Sequence, residues 1–413
     1  MRPIRLFVRN PRNQIWIFSS VATVAAVVLA LGATWADVLV TDPPDIPTET
    51  LERFLVVIAS SMLAVTTFSL GITVTAFASA SVGATPRATD LVMADGGTQL
   101  ALSSFLAAFI FSIVALVALA LDLYEAAGRF MLFLITIGVI AYLVINLILW
   151  IRTLTQIGRL TDTLQRIESA GAEALRAHAQ EPWLGAALGQ VDPPGRRLSG
   201  NECGFVTHLD LKTIETVAST AGCNVHVLVR PGAFVHPSSE LLTIDGPTTP
   251  EDEFVLLHCI VIAATRSFEQ DVRFAPIVLS EVAVRALASA SNDQGTAIGV
   301  ATVLTRLLTN YGNAVVANDP APPRFPNVTI PSIDPGEFVR DGFEPIARNG
   351  VLQIELGIRL QKLLGVLRTS EVPQIADAAQ QVADRAIERL IANVPFEADR
   401  APILASTRTP RTT

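Results

Sequence analysis

The chain has 413 residues, half of them hydrophobic and only 16% charged, where a water-soluble domain carries about 25% charge; its mean hydropathy is +0.46. A net charge of −8 excludes nucleic acid as an expected partner, which would call for a basic face. The three cysteines, Cys203, Cys223 and Cys259, are odd in number and irregularly spaced, which excludes a disulfide framework.

Four apolar runs occupy the first 151 residues: Ile15–Ala36, Phe54–Ala80, Leu100–Leu121 and Phe130–Ile151. Each is close to the roughly 20 residues that cross a bilayer's hydrocarbon. None carries Lys, Arg, Asp or Glu in its interior, and backbone groups in lipid must be satisfied within the segment, so the runs are predicted helices. Arg2, Arg5, Arg9 and Arg12 before the first run also suit a signal peptide, but the apolar core is long for that and three more runs follow. Arg152, Arg159 and Arg166 follow the fourth run, whereas the first and third connections hold one arginine each, Arg53 and Arg129. Arginine asymmetry therefore places both termini, and the whole C-terminal half, in the cytoplasm.

The second run, "SSMLAVTTFSLGITVTAFASAS", is rich in small and hydroxyl residues. At helical spacing Ser60, Ala64, Thr67, Gly71 and Thr75 form one stripe, continued by Ala78. Stripes of this kind let membrane helices approach closely; the alternative is a path lined by hydroxyls. No ionisable group lies within a run to mark a pump or transporter; the nearest polar residue is Asn146, read as an interhelical hydrogen-bonding group.

After the fourth run, Leu154, Ile157, Leu160, Leu164, Ile167 and Gly171 step by three and four. This predicts a cytoplasmic extension of the helix over 152–180, either projecting or packed on the soluble domain. Residues 181–203, rich in Pro and Gly, read as a linker. A small β-rich unit is expected over 204–247, with strands in "GFVTHL", "CNVHVLVRPGAFV" and "ELLTIDGP", a short helix in "LKTIETVASTAG", and a turn at Arg230–Gly232. A helical unit over 248–394 follows. Its helices are "PEDEFVLLHCIVIAATRS", "FAPIVLSEVAVRALASAS" with Leu279, Val282, Ala286 and Leu287 inward, and one begun by an Asp293 cap. A proline-rich excursion and helices at about 343–366 and 372–393 complete it, and 395–413 read as a disordered tail. The fold class is thus a membrane all-α bundle of four transmembrane helices followed by a mixed α+β cytoplasmic domain.

These stretches resemble the bacterial predicted-membrane-protein family catalogued as domain of unknown function 2254. The resemblance runs from "SSMLAVTTFSLGITVTAF…TPRATDLVMADGGTQLALSSFLAAF" through "GFVTHLD…VHVLVRPGAFV" to "RSFEQDVRFAPIVLSEVAVRALASASNDQGTA". The family's Glu-Gln-Asp run, Glu-bearing helix and Asn-Asp-Pro-x-Thr-Ala pattern correspond here to Glu269, Gln270, Asp271, Glu281, Arg285, Asn292, Asp293, Thr296 and Ala297. Gln294 stands where the family has Pro, "ASAS" replaces a Pro-Gly turn, and "HPSSEL" lacks the glycine expected after Phe234-Val235. The resemblance implies membrane location and architecture and supplies no activity.

The polar cluster Glu269, Asp271, Arg273, Glu281, Arg285, Asn292 and Asp293 is the strongest local candidate for a site. Glu281 and Arg285 are spaced for a helical ion pair, so a network of caps and salt bridges leads over a ligand or partner contact. Catalysis by paired carboxylates comes last. Cys223 and His226 have a Cys-x-x-His spacing, yet residues three apart on a strand face opposite ways, so no metal or cofactor is expected. The sequence contains neither a Gly-x-Ser-x-Gly elbow nor a phosphate-cradling Gly-x-x-x-x-Gly-Lys loop, and enzyme activity is the lesser reading. The expected protein is an oligomeric channel-like or transport-associated component with the lipid bilayer and a second copy of itself as partners. The alternative is a membrane-anchored scaffold or sensor whose cytoplasmic domain binds a ligand or protein.

Overall fold

The computed structural model describes residues 11–38, 43–44, 46–83, 85, 87, 96–154, 160–318 and 321–406. Arg2, Arg5, Arg9, Arg159 and most of the loop "TPRATDLVMADGG" lie outside the described residues, as does the chain after 406. The chain divides into two compact units, 1–163 and 164–413.

The first unit contains the four apolar helices: α1 (Pro11–Gly32), α2 (Thr48–Gly83), α3 (Gly96–Ala120) and α4 (Ala126–Leu154). Each is long and apolar enough to cross a membrane. Helix α3 is the central one and packs against the other three. At one end of the bundle Leu51, Leu55, Phe111, Leu119 and Leu132 close around small residues of α1, Ala26 and Ala30. Toward the other end Ile58, Phe105, Leu143 and Trp150 form a second apolar cluster. Without a hydrophobic gain between helices in lipid, packing and interhelical hydrogen bonds hold such a bundle. Such bonds among the described residues include Trp150 Nε1 donating to Ser69 Oγ at 2.9 Å, Ser104 with the Tyr142 hydroxyl at 2.8 Å, and Ser19 with Ser103 at 2.9 Å. Trp150→Phe keeps the ring and removes the Ser69 bond. It is expected to cost about 1 kcal/mol, measured by unfolding in mixed micelles.

In the second unit, α5 (Leu160–Gln180) buries Ile167, Leu175 and His178. Its Glu168 accepts a two-pronged bond from Arg306, at 2.6 Å for each oxygen. Of the two arrangements open in the sequence, this helix takes the packed one.

Two sheets follow. The larger has strand order β1-β8-β4-β6-β2 and the smaller β5-β3-β7. The strands are β1 (Ala186–Leu188), β2 (Arg196–Ser199), β3 (Gly204–Leu209), β4 (Asn224–Val227), β5 (Phe234–Val235), β6 (Glu240–Asp245), β7 (Ile260–Ala263) and β8 (Phe325–Ile330). In the larger sheet β8 runs parallel to both β1 and β4, and the β4-β6 and β6-β2 pairs are antiparallel. The smaller sheet is antiparallel throughout. Both sheets share one core with helices α6 (Leu211–Ala221) and α7 (Pro250–His258): Ile214, Val225, Leu242, Leu256 and Val328 have no exposed surface.

Four expectations are corrected here. Residues 181–203 are not only a linker, since β1 and β2 lie within them. A Cβ at Gly195 (φ +127°) would sit 2.3 Å from the Ile244 carbonyl oxygen, so only glycine lets β2 close onto β6. The stretch "PEDEFVLLHCIVIAATRS" is helical only to His258; Ile260–Ala263 then pairs with β3. A short apolar run of this length reads equally as strand or buried helix. The proline-rich excursion contains β8, so the β-rich and helical stretches interleave rather than dividing at 247. Finally, Glu397–Ser406 is helix (α13), not disordered tail.

The remaining helices are α8 (Phe274–Ala286), α9 (Gln294–Ala317), α10 (Gly336–Asn349), α11 (Ile354–Leu367) and α12 (Pro373–Asn393). Leu279, Val282, Ala286 and Leu287 are buried, as their spacing predicts. The helix expected over 343–366 is two, α10 and α11, separated by the turn at Gly350–Gln353. Phe338 and Phe343 of α10 are fully enclosed as it packs against α8 and α12.

Candidate functional site

The stripe Ser60, Ala64, Thr67, Gly71 and Thr75 lies wholly on the exposed face of α2. The face packed into the bundle carries Leu55, Ile58, Met62, Val65, Ser69 and Thr73. At about 3.6 residues per turn the two faces are roughly 180° apart, so the stripe does not pack against the other helices of its own bundle. Its hydroxyls are already used: Ser60 donates to the Val56 carbonyl at 2.8 Å, Thr75 to Gly71 at 3.0 Å, and Thr67 to Leu63. A Cβ at Gly71 would meet no atom within 4 Å. Asn146 is buried in the bundle, and among the described residues its Nδ2 has no hydrogen-bond partner.

The polar cluster read from the sequence is two separate networks. Glu269, Gln270 and Asp271 sit before α8, while Asn292 and Asp293 lie beyond its far end, about 18 Å of helix away at about 1.5 Å per residue. At the near end, the buried Asp271 accepts from Arg266 Nε at 2.7 Å and from the Arg273 backbone N–H at 3.2 Å. A Cβ at Gly232 (φ +90°) would lie 2.4 Å from Asp271 Oδ2. The Arg-Pro-Gly turn and the Glu-Gln-Asp run, quoted separately from the sequence, therefore meet in space. Gln270 adds a bond from the Leu209 N–H at 2.8 Å, holding the end of β3. Arg273 turns the other way and forks onto Asp341 of α10, at 2.8 and 3.2 Å.

At the far end Asp293 caps α9, accepting from the Thr296 N–H at 3.0 Å, as expected. Asn292 (φ +41°) accepts from Gln353 Nε2 at 2.8 Å, and Gln294 also bonds to Gln353. Hydrogen bonding by Thr296 holds the Asp293 carboxyl below its usual range. Arg285, spaced for a pair with Glu281, is exposed. Both networks cap and clamp secondary structure.

A third group had no signal in the sequence beyond the arginine of the turn. His178 of α5 is 5% exposed, and its Nδ1 lies 3.1 Å from the Tyr311 hydroxyl of α9. Phe338 packs edge-on to both rings. Arg230, the first residue of the Arg-Pro-Gly turn, acts electrostatically on His178 and Tyr311. Among the described residues Arg230 Nε and Nη2 and His178 Nε2 are buried with no hydrogen-bond partner. Burial is the main cause holding His178 down to about 4, with the Arg230 charge adding to it. Burial also lowers Arg230 to about 10 and raises Tyr311 to about 12. Among the described residues no carboxylate contributes to the shift of Arg230.

Cys223 is buried just before β4, and His226 points to the other face, its Nδ1 2.8 Å from Thr329 Oγ1. Among the described residues no three of His, Cys, Asp and Glu converge as metal ligands would.

A family model described as "Predicted membrane protein (DUF2254)" matches residues 12–365. No curated protein matches the chain, and no solved structure does.

Proposed function

The chain belongs to that family of predicted membrane proteins, and from this premise we propose that it is a membrane-anchored sensor that assembles as a homo-oligomer through α2. The proposal places it in a bacterial inner membrane with both termini cytoplasmic, following the arginine asymmetry around its spans. The carrying observation is the outward stripe, roughly opposite the face that α2 packs into its own bundle. Small residues with self-bonded hydroxyls suit close approach by a second helix, since nothing polar is left to satisfy in lipid. The interior of one bundle is filled by Leu51, Leu55, Phe111 and Phe105, which supports anchoring over conduction through a single copy. The second unit, with its own core, then acts as the binding module.

A channel-like reading remains as the second one, with the path running between copies along the α2 stripes. Gly71→Leu separates the two. The sensor reading expects the variant to lose oligomer, measured by light scattering in detergent, and expects no current from unaltered protein in a planar bilayer. Reproducible current from unaltered protein, blocked in an intact Gly71→Leu oligomer, would replace it with the channel reading.

A further inference from the structure

We propose that Arg230, His178 and Tyr311 form a binding site for a phosphate-type oxyanion in the second unit. It rests on the reading of that unit as a binding module and names the chemistry the module recognises.

Three N–H donors carry the inference. Arg230 Nε and Nη2 are the two donors of a guanidinium that grip an oxyanion side by side. Among the described residues both are buried without a partner, while Arg230 as a whole is half-buried. Arginine keeps its charge in proteins, so it cannot escape burial by losing its proton. A buried charge without a counter-charge is costly enough that one is normally found beside it. The neighbouring acid is already committed: Asp271 receives Arg266 and the Arg273 N–H, and Arg230 does not contribute to its shift.

His178 supplies the third donor. The imidazole stays neutral at neutral pH, so one ring nitrogen carries the proton. The Tyr311 hydroxyl can donate to Nδ1, the choice that puts the ring proton on Nε2, a buried atom with no partner among the described residues. The electrostatic influence of Arg230 on His178 and Tyr311 puts the guanidinium near the ring, and a tetrahedral oxyanion lodged between them accepts from all three. Phe338 packs edge-on against the His178 ring, and Gly232 closes the turn that Arg230 begins.

The anion can be free phosphate, a phosphate ester or the head of an anionic lipid. The test uses the full chain in zwitterionic nanodiscs, purified free of phosphate and sulfate, with inorganic phosphate as the probe. The expected result is a saturable rise in the melting temperature of the second unit. Arg230→Gln abolishes the rise, and His178→Gln weakens binding roughly 10- to 100-fold. Repeating the titration in nanodiscs containing phosphatidic acid identifies the source. An unchanged response assigns the site to free anions; a melting temperature already raised and no longer responsive assigns it to the lipid head. No response in either lipid, or an undiminished response in Arg230→Gln, overturns the site. Should Arg230→Gln fail to fold, the imidazole 15N resonance of His178 in unaltered protein decides, and a resonance unmoved by phosphate overturns it equally. Cross-linking through Gly71→Cys in the same samples reports on sensing separately. Phosphate binding that leaves cross-linking unchanged sinks the sensor reading and spares the site.

Discussion

Asp271→Ala is expected to destabilise the second unit by about 3–5 kcal/mol, the range for removing one partner of a buried ion pair. Asp271 is 3% exposed, and its two oxygens serve two donors from different parts of one loop, the Arg266 side chain and the Arg273 backbone. The alanine leaves the Arg266 guanidinium, itself only 16% exposed, without its acid. It also removes the wall against which the Gly232 turn closes. Asp271→Asn keeps the shape and the bond from Arg273 but turns a neutral amide toward Arg266, so an intermediate loss is expected. Chemical unfolding of the full chain in detergent measures both. A loss below about 1 kcal/mol for the alanine would mean that the pair behaves as an exposed one and that Asp271 does not anchor the turn.

Acid is expected to weaken the same unit through His178. In the folded chain the imidazole titrates at about 4; in the unfolded chain it titrates near ~6.5. Between those values the unfolded state takes up a proton that the folded state refuses. The contribution is therefore complete above about pH 6.5 and is lost as pH falls toward 4, by about 3 kcal/mol in all. His178→Gln removes the titration and keeps a group able to bond Tyr311. In anion-free buffer, any advantage of unaltered protein over this variant should shrink by about 3 kcal/mol between pH 7 and 4. A gap that stays constant would show that His178 is solvated rather than enclosed by Tyr311 and Phe338. Bound phosphate should flatten the dependence, because a negative charge beside the ring favours its protonated form.

The two effects differ in how far the sequence announced them. Asp271 belonged to a motif and was named as a candidate, although its neighbours in that cluster proved to lie at opposite ends of α8. Helical spacing groups residues within one helix, but it cannot say which of two loops a helix end will meet. His178 and Tyr311 are 133 residues apart and share no motif with Arg230, so no local pattern linked them.

What the sequence determined by itself were the features whose physics is local or set by the solvent. Four helices follow from apolar length, because lipid forces the backbone to bond within its own segment. The Asp293 cap follows from one carboxylate beside one helix start, and the inward face of α8 from a 3.6-residue period. Tertiary structure alone decided the rest. Strand β8 lies between β1 and β4 because parallel pairing joins segments far apart in the chain, and β7 is a strand because β3 offers it an edge. The small residues of α2 were legible as a stripe, but the side of the helix they occupy was fixed by where Leu55, Ile58 and Ser69 found partners. Composition can mark a face as able to pack closely; only the position of the other helices decides which face is left open.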